Sequence, residues 1–304
     1  MSPSISVVVP TRNRPDQVPG CVESILANGG DDYDVVVVDQ SDDDATERAM
    51  KALLEDPRVT YVHSDERGVA KARNLGWRSS SSSIIIYTDD DCRVPPGWVE
   101  GLRASLAGDE RTSIVFGRVV VPSEVSNGEF AASFEPVDAV HDGDLPGPSE
   151  PWGISANMLV RSSLLEQLGG FDDALGAGGR FKSAAETDLM IRAVAAGYRV
   201  RDVQEPKVLH YGVRGIEEAP QLVRGYAFGL GAAFTKHLRL GTRPGRFLLP
   251  RWIMFFSIRA GRNALRRRRH VGFGFLKGLV LGAWGSRHTA IDRSTGRYIL
   301  GSGS

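Results

Sequence analysis

The sequence has few of the features that mark membrane-spanning, disulfide-linked or disordered proteins. Its two cysteines, Cys21 and Cys92, have a spacing that matches neither a metal motif nor a disulfide framework. A membrane-spanning helix needs about 18 or more apolar residues. No uncharged apolar run in the sequence is that long. The first residues, MSPSISVVVPTRN, lack the basic and long apolar regions of a signal peptide. These absences predict a protein of a reducing compartment, the cytoplasm.

Charge is balanced overall but unevenly distributed. The 304 residues are 41% hydrophobic and 24% charged, which is typical of a soluble globular chain. Residues 224–304 contain 16 of the 37 Lys and Arg residues and one of the 37 acidic residues, Asp292. The tail therefore carries a net charge of +15 and residues 1–223 carry −15. Such asymmetry suggests an anionic partner for the basic segment.

Apolar runs alternate with helical patterns over the first 90 residues. The runs at residues 5–9, 35–38, 59–62 and 84–87 are rich in β-branched residues, and amphipathic segments separate them. This order predicts a doubly wound α/β sheet, in which ligands bind beyond the carboxyl ends of the strands. Polar clusters at residues 11–14, 39–44 and 89–91 follow three of the runs. We expect these clusters to meet at one edge of the sheet.

Three consecutive aspartates follow the fourth run. On an extended segment, Asp89 and Asp91 point to one side and Asp90 to the other. Two carboxylates on one side form a site for a hard divalent cation, Mg²⁺ or Mn²⁺, which would cancel their repulsion. The alternative is a solvated loop after a strand, and the spacing alone does not decide between them.

Another carboxylate, Asp39, ends the second run. In this position it can accept hydrogen bonds from a nucleobase or from ribose hydroxyls, as the acidic residue of a dinucleotide fold does. The aspartates at residues 42–44 precede a helical pattern and are suited to capping it. We therefore assign Asp39 to ligand binding and the later aspartates to capping.

In this order, the segments VVVPTRNR, VVVVDQSDDDAT, GVAKARNLG, TDDDC, AETDLMIRA and VLHY resemble the family 2 glycosyltransferases. The resemblance covers residues 4–212 and implies the α/β GT-A fold, a Rossmann-like and mostly parallel sheet flanked by helices. It implies a GT-A domain at residues 1–223 and a basic helical extension at residues 224–304. It also implies inverting, metal-dependent transfer of a sugar from a nucleotide-diphosphate donor to a hydroxyl of a glycan, a lipid-linked or a small-molecule acceptor.

The resemblance also implies roles for individual residues. Glu186 matches the catalytic base, and the metal ligands are Asp89, Asp91 and His210. The donor-binding residues are Pro10, Thr11, Arg12, Asn13, Arg14, Asp39, Gly68, Arg73, Asn74, Asp89 and Asp90. The acceptor-binding residues are Trp152, Asn157 and Asp188.

Several of these residues have simpler interpretations. Glu186 sits at a helix start, where the macrodipole stabilises an acid, and Trp152 is equally suited to be a packing anchor. His210 is equally suited to be a buried histidine of the core. The chain also departs from the family, since Ala185 replaces one of two acids before Asp188 and since Gln40-Ser41 replaces an aspartate and a glycine.

In the basic tail, arginines alternate with aromatic and aliphatic residues, as in FLLPRWIMFFSIR. This pattern favours helices on an anionic membrane surface, here the inner face of the cell membrane. The alternative is that the tail packs on the acidic body, within one chain or between the subunits of a homodimer. Nucleic-acid binding is disfavoured because the tail is too apolar to follow a phosphate backbone.

Two rival functions share the predicted sheet. A non-catalytic protein could bind a nucleotide-sugar and dock on a membrane or partner through its tail. A nucleotidyltransferase would need a glycine-rich phosphate loop after the first strand, and PTRNRPDQ contains no glycine. The first rival therefore stays open, while the loop argues against the second.

Overall fold

The computed structural model describes residues 4–30, 32–106, 108–125, 129–243, 245–265 and 273–301. The strands are β1 (Ile5–Thr11), β2 (Tyr33–Asp39), β3 (Val59–His63), β4 (Ile84–Tyr87), β5 (Cys92–Arg93), β6 (Thr112–Val120), β7 (Glu129–Ala131), β8 (Ala139–His141), β9 (Met158–Arg161), β10 (Arg199–His210), β11 (Val213–Gly215), β12 (Ile291–Asp292) and β13 (Arg297–Tyr298). The α-helices are α1 (Val18–Leu26), α2 (Ala45–Met50), α3 (Val69–Arg78), α4 (Trp98–Ala104), α5 (Ser162–Leu168), α6 (Ala185–Ala195), α7 (Ala219–Leu240), α8 (Leu248–Leu265) and α9 (Phe273–Ser286).

Among the described residues, nine strands form the main sheet. Eight of them follow the order β3-β2-β1-β4-β9-β6-β10-β5, and the ninth, β8, pairs with β10. Neighbours β3, β2, β1 and β4 are parallel, as are β6 and β10, while β9 runs antiparallel between β4 and β6. Strand β1 is buried along its whole length because helices cover both faces of the sheet. The predicted mostly parallel α/β sheet is confirmed.

The periodic apolar positions of the helices face this sheet. Helix α1 buries Val18, Cys21, Val22 and Ile25, which recur at helical spacing. In α6, all residues from position 187 to 194 are buried, so this helix lies inside the molecule rather than on its surface. The first turn of α6 is therefore attached to a helix that is buried over its remaining length up to Val194.

The described part of the C-terminal extension packs on the acidic body. Helix α7 is continuous from Ala219 to Leu240, so the predicted domain boundary at residue 224 falls inside a helix. Ala232 of α7 and Tyr298 of β13 belong to the main hydrophobic core. A second apolar cluster joins α6 to α7, α8 and α9; its buried members are Ile191, Ala227, Phe234, Leu248, Leu249, Trp252, Phe256 and Leu279.

This packing within one chain is one of the alternatives that the sequence left open. The four arginines of the predicted basic tail at positions 266–269 lie outside the described residues. In the part of the chain that the structure describes, each helix is too short or too polar to cross a membrane.

Candidate active site

The three aspartates lie in a turn beyond the carboxyl end of β4. The N–H of Cys92 donates to the carbonyl of Asp89 (3.0 Å), which closes the turn. Because the backbone is not extended here, the predicted alternation of side chains is wrong. Asp90 and Asp91 both contact Arg14, whereas Asp89 contacts Arg73.

Cations lie among these acids and offset their repulsion. Nη1 of Arg14 lies 2.7 Å from Oδ1 of Asp90 and 2.7 Å from Oδ2 of Asp91. Nη2 of the buried Arg73 lies 3.1 Å from Oδ1 of Asp89. Arg14 and Arg73 thus bring positive charge to the aspartate turn even without a metal ion.

The two inner carboxyls differ in acidity. Burial raises the pKa of Asp90 to about 6, and Arg14 only partly opposes this effect. Burial also acts on Asp91, but contacts with His210 and Arg14 outweigh it and lower the pKa to about 2. Asp91 therefore stays ionised well into the acid range, whereas Asp90 takes up a proton as the pH falls through about 6.

Asp91, Cys92 and His210 bring their ligand atoms within 4.8 Å of one another. Antiparallel pairing of β5 with β10 sets Cys92 opposite His210, and Nε2 of His210 lies 3.2 Å from Oδ1 of Asp91. That buried oxygen makes no hydrogen bond to any described residue. Burial raises the pKa of the Cys92 thiol well above its usual value, so this group stays protonated. The carboxylate oxygen of Asp91 is therefore the donor of this cluster that is suited to Mg²⁺ or Mn²⁺, and the imidazole of His210 lies beside it.

The loops after β1 and β2 bind each other beside the aspartate turn. Thr11 donates to Oδ2 of Asp90 (2.7 Å). Asn13, which has a left-handed φ of 54°, exchanges hydrogen bonds with Asp42, and Arg12 pairs with the same carboxylate. The three predicted polar clusters do meet at one edge. Pro10, which the resemblance assigns to donor binding, lies buried inside β1, where it pairs with Val38.

A cleft of about 350 Å³ opens beyond β2 and β3. It is lined by Gln40, Ser41, Asp42, Asp43, Asp44, Glu47, Tyr61, His63, Ser64, Asp65 and Arg67. Asp39 is fully buried beneath it and accepts hydrogen bonds from the hydroxyls of Ser41 and Tyr61, both at 2.5 Å. The sequence missed Tyr61 because a tyrosine in a strand has no distinguishing pattern.

Gln40, which departs from the family pattern, holds the start of α3. Its side chain accepts from the N–H of Gly68 (3.1 Å) and donates to the carbonyl of Gly68 (3.3 Å). Gly68 has a φ of 122°, a conformation that other residues rarely adopt. The glutamine side chain thus supplies both a donor and an acceptor to this turn.

Asn74, a predicted donor-binding residue, has a structural role instead. It is buried, donates to the carbonyl of Phe171 (2.9 Å) and to Asp173 (2.8 Å), and accepts from the N–H of Phe171 (2.8 Å). The side-chain amide of Asn74 therefore attaches the loop after α5 to helix α3.

Glu186 lies in the first turn of α6, at the same edge. It is half-buried, and burial raises its pKa above the usual 4.5, while Arg73 opposes and Asp89 adds to the rise. Glu186 and Asp89 also help to raise the pKa of Tyr226 of α7, after burial, the largest cause. Arg73 and Asp89 are therefore close enough to Glu186 for their charges to act on it, and Asp89 and Glu186 act in the same way on Tyr226 of the extension.

Two predicted acceptor residues are corrected because their polar atoms are already bound inside the protein. Asp188 is fully buried and contacts Arg192, Lys236 and His237. Asn157 is also fully buried. It accepts from Trp98 (3.0 Å) and donates to two backbone carbonyls, both at 2.9 Å. Both residues are therefore structural.

Trp152 belongs to an aromatic cluster rather than to an open cleft. Its ring centroid lies 6.2 Å from that of Phe234 and 6.1 Å from that of Trp252. Its Nε1 donates to the carbonyl of Gly147 (3.3 Å), which ties the preceding loop to α7 and α8. The packing-anchor interpretation is the one that this geometry favours.

The family model described as "Glycosyl transferase family 2" matches residues 6–169, more than half of the chain. The chain belongs to glycosyl transferase family 2. Glycosyltransferase AglE of Haloferax volcanii is 25% identical to this family 2 chain over 202 residues. That alignment covers 64% of this chain and 63% of AglE, which is less than two thirds of the relative.

Solved structures show that this family 2 chain has the GT-A fold. The mannosyltransferase PcManGT of Pyrobaculum calidifontis, solved with GDP-Man and Mn²⁺, superposes on this chain with a TM-score of 0.65 at 20% sequence identity. The superposition covers 94% of this chain and 88% of the PcManGT chain. S. aureus TarS 1-349, solved with UDP-GlcNAc, gives a TM-score of 0.54 at 16% identity, covering 93% and 90%. The comparisons extend beyond residue 223, so the C-terminal extension aligns with parts of these folds.

Proposed function

We propose that the protein is an inverting glycosyltransferase that moves a sugar from a nucleotide-diphosphate donor to an acceptor hydroxyl. The observation that carries the proposal is the position of Glu186, half-buried at the edge of the sheet, where Arg73 and Asp89 influence its pKa. A base beside the cationic, carboxylate-lined edge is the arrangement that this reaction needs. The nucleotides in the complexes of PcManGT and TarS support the donor class.

Proton transfer to Glu186 is the step that this chain's own residues supply. A carboxylate of Glu186 takes the proton from the acceptor hydroxyl as that oxygen bonds to the anomeric carbon. The bond from that carbon to the phosphate oxygen breaks, and the nucleoside diphosphate leaves with the electron pair. Attack from the face opposite the leaving group inverts the anomeric centre. A pKa raised toward neutrality makes Glu186 a stronger base than an exposed glutamate.

The donor is proposed to lie across the edge between the cleft beyond β2 and the aspartate turn. Tyr61 and Ser41, held by Asp39, are placed to meet the base and ribose. Arg14 and Arg73 lie where the diphosphate would need positive charge. Asp91 and His210 are the residues suited to hold Mg²⁺ or Mn²⁺ there, because Oδ1 of Asp91 has no hydrogen bond within the described chain. Such an ion supplies Lewis-acid stabilisation of the departing phosphate.

An assay with nucleotide-sugars tests this function directly. We expect one member of a panel of UDP-, GDP- and TDP-sugars to raise the melting temperature in the presence of Mn²⁺. The same donor should release its nucleoside diphosphate when acceptor is added, with inversion at the anomeric carbon in the product. Tight donor binding with no release in the presence of glycan, lipid-linked and small-molecule acceptors would support the non-catalytic rival.

We also propose that α8 and α9 associate with an anionic membrane surface. One face of α8 carries Arg251, Met254, Ile258 and Arg262, and these four side chains are exposed. Met254 and Ile258 are 61% and 51% exposed, although both are large and apolar. Phe273 and Trp284 of α9 are 62% and 64% exposed. Because residues 224–290 contain no acid, this surface complements a negatively charged bilayer.

Vesicle co-sedimentation tests this surface. We expect the full chain to bind vesicles that contain phosphatidylserine and to dissociate as salt is raised, but not to bind neutral phosphatidylcholine vesicles. Replacing both Met254 and Ile258 by Glu should weaken binding by about tenfold or more, because it removes apolar insertion and adds repulsion. Val140→Glu, at a position on the body that is 54% exposed, is the matched control and should bind like the wild type. Equal binding by the double variant would contradict the proposal.

A further inference from the structure

The segment that leads into α6 is held in an unusual backbone conformation. Lys182 and Ala184 have φ values of 66° and 70°, in the left-handed region that side chains with a Cβ disfavour. Such residues persist only where the surroundings fix them, and they cluster at functional sites. Here they immediately precede the turn that carries Glu186, so whatever holds this segment also determines where Glu186 lies.

Helix α7 of the extension lies directly against this segment. The hydroxyl of Ser183, between the two strained residues, donates to the carbonyl of Tyr226 (2.9 Å). A Cβ on Gly229 would lie 2.2 Å from Oγ of Ser183 and 2.7 Å from the carbonyl oxygen of Phe181. The close approach of α7 therefore requires glycine at position 229.

A second contact is a fully buried cluster of ion pairs. Nζ of Lys236 on α7 lies 2.5 Å from Asp172 and 2.7 Å from Asp188, and all three side chains are completely buried. Asp188 also accepts from Nε of Arg192 (2.9 Å), so two carboxylates face two cations. His237 lies 3.0 Å from Asp188, and burial lowers its pKa, which keeps it neutral. The charges of this cluster balance only when Lys236 is present.

Both contacts act on the first turns of α6. Asp188 lies two residues after Glu186 on the same helix, and Ser183 lies three residues before it. We propose that α7 positions the catalytic helix, with Gly229 and Lys236 as positioning residues that set the geometry of Glu186. This inference rests on the proposed role of Glu186 as the base. It makes the C-terminal extension part of the catalytic apparatus rather than an appendage.

A pair of glycine variants in one helix tests the close approach. We expect Gly229→Ala to lower kcat by about 10- to 100-fold, because displacement of a base by about 1 Å has such effects. The KM for the donor should stay within about twofold, since the residues that line the cleft beyond β2 all come from positions 40–67 and none belongs to α7. Gly225→Ala is the matched control, because a Cβ there meets no atom within 4 Å. It should leave kcat unchanged.

A charge-balanced double variant tests the ion-pair cluster. Lys236→Met alone leaves two buried carboxylates with one arginine, which destabilises the folded state. Asp172→Asn combined with Lys236→Met removes one charge of each sign, so Asp188 and Arg192 remain a pair. We expect this double variant to bind donor with full stoichiometry but to show a similar loss of kcat. Lys277→Met, at an exposed lysine of α9, is the control.

The Glu186→Gln background separates positioning from general structural damage. If α7 acts through Glu186, Gly229→Ala should cost little further turnover once that carboxylate is gone. A loss of equal size in both backgrounds would overturn the proposal, as would wild-type kcat in both Gly229→Ala and the double variant. If Glu186→Gln itself retains full turnover, the proposed base is wrong, which is a different outcome from failure of the positioning.

Discussion

Glu186→Gln should lower kcat by about 10²- to 10⁴-fold, the range that a positioned general base contributes. The amide has nearly the shape of the carboxylate but cannot accept the proton of the acceptor hydroxyl. Donor affinity, measured by calorimetry with Mn²⁺ present, should change little, since the base acts on the acceptor. Glu110→Gln, at an exposed glutamate, is the control and should have wild-type turnover. Full activity in Glu186→Gln would remove this residue from the mechanism.

The pH dependence of the wild type gives a second readout of the same residue. Burial raises the pKa of Glu186 above 4.5, and only the ionised form accepts a proton. As pH falls through that raised pKa, kcat should fall, at a pH above the usual range of a glutamate. In Glu186→Gln, the residual rate should lack this acid limb. An identical limb in the variant would show that another group is titrating.

Asp91→Asn should abolish most of the stimulation of turnover by Mn²⁺ and lower kcat/KM by about 100-fold or more, because a bound metal stabilises the leaving phosphate by several kcal/mol. Asp91 is the aspartate of the turn whose pKa is lowered to about 2, and it lies 3.2 Å from His210. The neutral amide is a weaker ligand for a hard cation.

Metal titrations supply the controls for this prediction. Chelation with EDTA should reduce wild-type activity to near that of Asp91→Asn, and the variant should respond little to chelator. Asp32→Asn removes an exposed ion pair with Arg103 at the start of β2, so it should keep the wild-type response. Wild-type Mn²⁺ affinity in Asp91→Asn would contradict the assignment of the metal ligand.

The aspartate turn illustrates where sequence reasoning succeeds and where it stops. An apolar run that ends in acids predicts a strand whose carboxyl end lies at the edge where polar clusters meet, and β4 does end at that edge. Which acid meets which cation depends on whether the backbone of the three aspartates stays extended. The hydrogen bond from the N–H of Cys92 to the carbonyl of Asp89 ends the extended conformation, and the hydrophobic pattern of the sequence does not predict that bond. The sequence therefore predicts that Asp90 and Asp91 point to opposite sides, whereas in the structure both carboxylates contact Arg14.

Polar residues in the family motifs also show a limit of reasoning from sequence alone. Asn74, Asn157 and Asp188 match motif positions, but their side chains are buried and bonded within the protein. A motif can persist for structural reasons, and burial cannot be read from a single sequence when the residue is polar. One signal was available for the C-terminal extension. The Lys236–His237 pair within the apolar run GAAFTKHL indicates a buried cation that needs a partner.

The sequence by itself determined the α/β class and the edge of the sheet where the polar clusters meet, because hydrophobic periodicity and chain order fix strands, helices and crossovers. The family followed from the resemblance of its motifs. Only the tertiary structure decided which acid meets which cation, and that the described extension packs on the body rather than standing apart. Those outcomes depend on contacts between residues far apart in the chain, such as Lys236 with Asp172 and Asp188. Local pattern carries no information about such contacts until the chain is folded.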